Sequence, residues 1–298
     1  MKINLNFALA VTALISATTA SPMHLSRTKR SESGSTVLWT YGQGNAGPQH
    51  WGTLDPLFST CGTGVEQSPI DVAVGAPYVS LQKQQFNAMD YSPLRKVLCG
   101  FDGHAVKCEW NSAAANSTTN STTNTNTIQM QNKTYTLSSF HLHTPSEHRI
   151  DHHFADAEMH LVHKADDGSL AVVGVMIEIQ AKSNPFFDWV VNLDKKVNLA
   201  ASGHGFLVKN NVTGEPLLGK EQIKYKVNKI DFAPLLKSTG MFTPRWEYAG
   251  SLTTPPCTEG VAWNVVKTPV GLGLNQYDAL VKLQAFNSRF LQDRPNPQ

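Results

Sequence analysis

Residues 139–163 hold seven of the chain's eleven histidines, and their spacing constrains the fold more than any other feature. His141 and His143 are separated by one residue, Leu142. In an extended strand, residues two apart point to the same face. The alternation predicts Leu137, Ser139, His141 and His143 on one face, with Ser138, Phe140 and Leu142 on the other. A second apolar run at 158–163 sets Glu158, His160 and Val162 on one face, opposite Met159, Leu161 and His163. Two such strands side by side bring His141, His143 and His160 to one point. Three histidines with a fourth position open are a ligand set for a catalytic zinc ion. Glu158, two residues from His160 on the same face, is placed to hold the second ring nitrogen of a ligand. A metalloprotease is excluded: there is no H-E-x-x-H, and the step from His143 to Glu147-His148 has one residue too many for the inverted form. Pro145 argues against a helix through this stretch.

The 298 residues suffice for one large domain or two small ones. A formal charge of +2 and the lack of any long basic block suggest no nucleic-acid partner. Residues 1–20 read as a secretory signal: Lys2 is the positive start, Phe7 to Ile15 the apolar centre, and Ala17 to Ala20 the small-residue cleavage region. Lys29-Arg30 reads as a dibasic cut, making 21–30 a propeptide and 31–298 the working domain. Losing residues 1–30 changes the formal charge from +2 to −2. No stretch is long and apolar enough to span a bilayer, and no hydrophobic C-terminal tail suggests a lipid anchor. The expected location is secreted, in the extracellular, cell-wall or periplasmic space.

Four cysteines in a secreted chain predict two disulfides, with three connectivities open. Cys99 and Cys108 flank a turn signal, Phe-Asp-Gly-His. A two-residue loop at Asp102-Gly103 sets them diagonally, whereas a four-residue loop from Asp102 to Ala105 sets them directly opposite. Sequons stand at Asn116, Asn120, Asn132 and Asn211, two of them inside the polar tract 111–127, which reads as a glycosylated surface loop.

Residues 37–51, rich in aromatics and glycine, read as an irregular packed N-terminal lobe. Residues 96–110 read as a hairpin, with strand pattern resuming at Tyr135. Ala171–Ile179 reads as a strand buried on both faces. Phe186–Leu199, Ile230–Leu236 and Asn275–Phe286 read as helices, the last anchored by Tyr277, Leu280, Val281 and Leu283. Trp246–Tyr248 and Val261–Val266 read as strands. Many strands with few short helices predict a mainly β single domain.

The chain resembles the α-class carbonic anhydrases from Trp39 to about Gln292. The matching stretches are Gly47-Pro48-Gln49-His50-Trp51, Gln67-Ser68-Pro69-Ile70, Asp102-Gly103-His104, Phe140-His141-Leu142-His143, Ser146-Glu147-His148, Glu158 to His163, and Gly250 to Pro256. Their order and spacing all agree. The resemblance implies a large, twisted, mostly antiparallel sheet with one zinc ion held by His141, His143 and His160. It implies reversible hydration of carbon dioxide to bicarbonate and a proton by a zinc-bound hydroxide, with esterase activity as a side reaction. In this family zinc is established to lower the pKa of its water to about 7.

The resemblance also implies roles for single residues. Thr253 accepts the proton of the hydroxide, and Glu147 takes the proton of Thr253. Val162, Val172, Leu252, Thr254, Val261 and Trp263 line a pocket whose apolar wall suits uncharged carbon dioxide. His104 matches the proton shuttle, while His148 and His163 match structural histidines. Cys61 and Cys257 match a disulfide found in many secreted members, leaving Cys99 with Cys108. Three departures stand out. Ser139 occupies a position often held by glutamine, which supports the ligand at His141. Asp102 and Lys107 replace neutral polar residues at the cavity mouth. The tract 111–127 has no clear counterpart.

Overall fold

The computed structural model describes residues 26–27, 38–73, 76–110, 126–130, 132–203, 208–209, 216–217 and 224–294. The leader at 1–20, the dibasic pair Lys29-Arg30, and the sequons at Asn116, Asn120 and Asn211 lie outside them. Asn132 is described: it is exposed at a turn with a positive φ of 58°.

The frame is an eleven-stranded sheet. In chain order its strands are β1 (Ser80–Gln82), β2 (Ala88–Asp90), β3 (Leu94–Phe101), β4 (Val106–Glu109), β5 (Thr127–Met130) and β6 (Lys133–His143). These are followed by β7 (Ala157–Lys164), β8 (Leu170–Gln180), β9 (Lys224–Ile230), β10 (Arg245–Ser251) and β11 (Glu259–Gly273). The lateral order is β9-β3-β4-β6-β7-β8-β11-β10-β1, with β5 on β6 and β2 on β5. Every pairing is antiparallel except β8 with β11, which is parallel. The mainly β, single-domain expectation holds.

One face of the sheet carries the main core. Phe140, Leu142, Met159, Leu161, Val173 and Val175 pack there, together with Phe187, Trp189 and Leu193 of helix α1 (Asp188–Gly203) and its preceding turn. Leu235 of α2 (Ala233–Ser238) and Leu280 and Leu283 of α3 (Leu274–Gln284) complete it. The other face carries a smaller cluster of Ile70, Val72, Val172, Trp246, Tyr248, Val261, Trp263 and Val265. His141, His143 and His160 lie on that second face.

Several expectations are corrected. Leu137 does not share the face of His141: the register of β6 against β7 shifts, so Val162 pairs with Ser139 while His163 pairs with Leu137. The extra residue, Ser138, is a β-bulge that reverses the alternation, and Leu137 joins the main core. Strand structure resumes at Thr127 rather than Tyr135, because β5 and β6 form a hairpin. Ile230 ends strand β9, and α2 begins only at Ala233. In α3, Val281 is exposed, and Ala279 takes its place among the buried anchors. Ile179 is likewise exposed, near the end of β8, where it still pairs with Leu272.

The β3–β4 turn uses the four-residue loop. Cys99 pairs with Cys108 and Phe101 with Val106, and the Asp102 amide donates to the Ala105 carbonyl at 3.1 Å. Asp102 Oδ1 also accepts from the amides of His104 and Ala105, so the carboxylate closes the turn on itself. Cys99 is bonded to Cys108 and Cys61 to Cys257.

Candidate metal centre

The ladder between β6 and β7 puts His160 opposite His141 and Glu158 opposite His143. All three predicted ligands therefore meet on the second face. Their ring centroids lie 4.5–5.1 Å apart, and one nitrogen from each falls within 4.8 Å of the others.

The outer nitrogens decide which lone pairs point inward. His143 Nδ1 is 2.8 Å from the backbone carbonyl of Asn287, so it donates there and leaves Nε2 as a bare acceptor. That Nε2 is buried with no hydrogen-bond partner. His160 Nε2 is 2.9 Å from Glu158 Oε1, which leaves its Nδ1 as the acceptor, 3.3 Å from His141 Nε2. Buried acceptors facing one another are costly unless a cation sits between them. Burial also lowers the pKa of all three histidines, His143 to about 4. They are thus neutral imidazoles at physiological pH, the form that binds metal. The donor set fits a zinc ion.

Glu158 anchors this arrangement. Its carboxylate accepts from His160, from His148 Nδ1 at 2.7 Å, and from the amides of Glu147 and His148. Burial alone would raise its pKa, but His148 and His160 outweigh that and hold it well below the carboxylate range. His148 Nε2 then meets the Tyr248 hydroxyl at 2.6 Å, and Tyr248 meets Ser68 Oγ at 2.9 Å. Gly174 lies opposite His160 across β7–β8. A Cβ there would come within 2.9 Å of Glu158 Oε1, so the strand needs glycine at this point to admit the carboxylate.

Glu147 Oε2 lies 3.5 Å from His143 Nε2 and 3.9 Å from His160 Nδ1. Its other oxygen accepts from the Arg289 amide at 2.8 Å. Burial pushes its carboxyl up to about 7, against the pull of His160, the Thr253 hydroxyl and the Arg289 amide. Thr253 is buried in a loop closed by the Leu252 amide on the Thr258 carbonyl and the Cys257 amide on the Thr254 carbonyl. The wall residues Val172, Val261 and Trp263 cluster, with Val162 and Leu252 against them. Thr254 stands outside that apolar cluster.

The chain matches the family model for eukaryotic-type carbonic anhydrases over residues 46–294. It is 33% identical to alpha carbonic anhydrase 6 of Arabidopsis thaliana over 79% of this chain and 75% of that protein. It is 30% identical to a carbonic anhydrase of a Nostoc species, over 86% and 83%. Among solved structures it superposes on a fungal alpha carbonic anhydrase from Aspergillus oryzae with a TM-score of 0.65 at 26% identity, covering 87% and 94% of the two chains.

The chain belongs to the α-class carbonic anhydrase family.

Within this carbonic anhydrase, His104 lies in the β3–β4 turn with its ring stacked on Trp39, centroids 3.4 Å apart at 15°. Burial lowers its pKa to about 4, although the Asp102 charge works the other way. Ser139 is half-buried and makes no hydrogen bond to His141 among the described residues. His152 pairs with Asp71 on the surface, away from the centre. His163 is buried in the main-core side with its Nε2 on the Tyr91 hydroxyl.

Three contributors escaped the sequence reading. Asn287 acts through its main-chain carbonyl, which no side-chain pattern reveals. Arg289 holds Glu147 by its amide, while its guanidinium bonds Gln67, Ser68 and Cys61. Tyr41 stands edge-on to both His104 and His143. The lone arginine in the C-terminal run Phe286-Asn287-Ser288-Arg289 was the one available signal.

Proposed function

We propose that this carbonic anhydrase binds one zinc ion through His141, His143 and His160 and converts carbon dioxide and water reversibly to bicarbonate and a proton. The observation that carries the proposal is the partnerless, buried Nε2 of His143, aimed at the two facing nitrogens of His141 and His160. A zinc ion held there would supply the Lewis acidity that makes water nucleophilic at neutral pH.

The chain's own residues supply the rest. Asn287 and Glu158 fix the tautomers of His143 and His160, so both rings present lone pairs without rearrangement. The Thr253 hydroxyl donates to Glu147, and its oxygen is then left only as an acceptor toward the attacking water. That fixes which way the water's lone pair points. Val162, Val172, Leu252, Val261 and Trp263 offer a dry wall to a substrate without charge or dipole. His104 relays the released proton to solvent. With its pKa near 4, a transfer from a donor near 7 runs uphill by about 4 kcal/mol, so external buffer shares the traffic.

The same centre would hydrolyse activated esters as a side reaction. The leader at 1–20, the two disulfides and the sequons support a secreted, glycosylated protein. No helix among the described residues is long and apolar enough to cross a membrane.

The test is zinc stoichiometry together with carbon dioxide hydration on purified protein and on His143→Ala. The native chain should hold one zinc per protein and be active, and the variant should lose both. Full activity in zinc-free His143→Ala protein would refute the ligand assignment.

A further inference from the structure

Of the three ligating histidines, His141 alone is only half-buried. A small molecule therefore approaches the centre past His141. Lys107 on β4 is the direct cross-strand partner of His141. In β4 Val106 and Cys108 are buried while Lys107 and Glu109 are half-exposed, which puts Lys107 on the face that carries the site. Paired residues lie roughly 4.5–5.5 Å apart at Cα, well within reach of a lysine stem. Beside them Ser139 faces Glu109 across the same ladder, and its short side chain leaves the flank of His141 open.

Two lysines of this wall face one carboxylate, Glu109. Glu109 is engaged first by Lys224, whose hydrogen bond holds the carboxylate ionised. Lys107 Nζ stands farther off, 3.8 Å from Glu109. Two ammonium groups share one carboxylate. Asp102 keeps its charge but is tied into its own turn, at the other end of β4 from Glu109 and its partner Ser139, and Glu147 and Glu158 are buried beneath the histidines.

We infer that Lys107 recruits small monovalent anions to the three-histidine centre, and so selects the charged partner of the reaction, bicarbonate, in the dehydration direction. The inference rests on the proposed function. Lysine suits this task as a compact charge on a mobile stem, in a low-dielectric cleft that strengthens its field.

The experiment titrates zinc-loaded protein with thiocyanate by calorimetry, comparing the native chain with Lys107→Gln and Lys107→Arg. At low ionic strength Lys107→Gln should raise the dissociation constant about fivefold. Lys107→Arg should restore it, and KM for bicarbonate should follow the same order. In potassium sulfate at an ionic strength of about 1 M, where the screening length is about 3 Å, the difference should vanish. Equal dissociation constants for the native chain and Lys107→Gln at low salt would overturn the inference. Zinc content and carbon dioxide hydration of the native chain are measured alongside. An active native enzyme whose anion affinity ignores Lys107 sinks the inference alone. A native protein that hydrates no carbon dioxide sinks the proposed function, whereas Lys107-dependent thiocyanate binding would still support the anion site.

Discussion

His143 leans on the main chain of Asn287, with Nδ1 donating to its carbonyl oxygen at 2.8 Å. The Asn287 side chain is busy elsewhere. It donates to the carbonyls of His104 and Leu142 at 3.0 Å each and accepts from the Thr144 amide at 2.8 Å. One residue thus aligns the ligand strand, the His104 turn and the C-terminal segment.

Asn287→Ala keeps the carbonyl but strands those backbone groups. Leaving buried polar groups unpaired should cost about 2–4 kcal/mol in urea unfolding. With the carbonyl no longer held in place, zinc affinity should fall roughly 10- to 100-fold. An unchanged urea midpoint would show that the side chain contributes nothing.

The Glu147 carboxyl gives a pH prediction for metal-free protein. Its folded pKa is about 7, above the unfolded value of roughly 4.5. The stability supplied by the neutral acid is therefore complete below pH 4.5 and lost as pH rises through 7. Glu147→Gln does not titrate. At pH 8 the metal-free variant should be more stable than the metal-free native chain by about 3 kcal/mol, relative to their difference at pH 4. Zinc should shrink this gap, because a nearby dication favours the carboxylate. Parallel stability curves from pH 4 to 8 would contradict the assignment.

Thr253→Ala should retain zinc and lose about 100-fold or more in kcat, the typical scale for removing one oriented proton acceptor. Metal content is read by atomic absorption and rate by stopped-flow hydration. Retained rate would remove the orienting role.

His104→Ala should slow turnover only modestly in dilute buffer, because the native ring is a weak base where it stacks on Trp39. Added imidazole should raise the rate of the native chain as well as the variant. A native rate indifferent to buffer, with a large loss in the variant, would mean that His104 carries the whole flux.

The two disulfides close loops of very different length, with separations of 196 and 9 residues. Chain-entropy arguments then predict losses of about 5 kcal/mol for replacing Cys61 and Cys257 by serine, and about 2.5 kcal/mol for Cys99 and Cys108. Equal losses in denaturant melts would speak against loop closure as the source. The Cys61–Cys257 pair should also affect activity, since Cys257 closes the loop that carries Thr253.

What could be read in the sequence was whatever depended on period-two alternation. His141, His143, Glu158 and His160 lie within strands whose pattern is regular, so their shared face followed directly. Leu137 failed because a bulge adds one residue without any compositional mark. Ile230 failed because strand β9 and helix α2 meet in an apolar run that suits both periods. The tautomer of His143 was beyond reach, since it is set by a main-chain oxygen 144 positions away. The pKa of His104 was equally hidden, because the ring that buries it, Trp39, comes from the N-terminal lobe.

The parallel seam between β8 and β11 has a consequence for biogenesis. A strand made from residues 259–273 lies inside the sheet, third from one edge, beside one made from 170–180. Asn287 and Arg289, farther on still, hold His143 and Glu147 in place. A polypeptide synthesised N-terminus first cannot close this sheet until nearly all of it has been made. Non-local pairings of that kind nucleate late, so the three-histidine pocket should form only once synthesis of the chain is nearly complete.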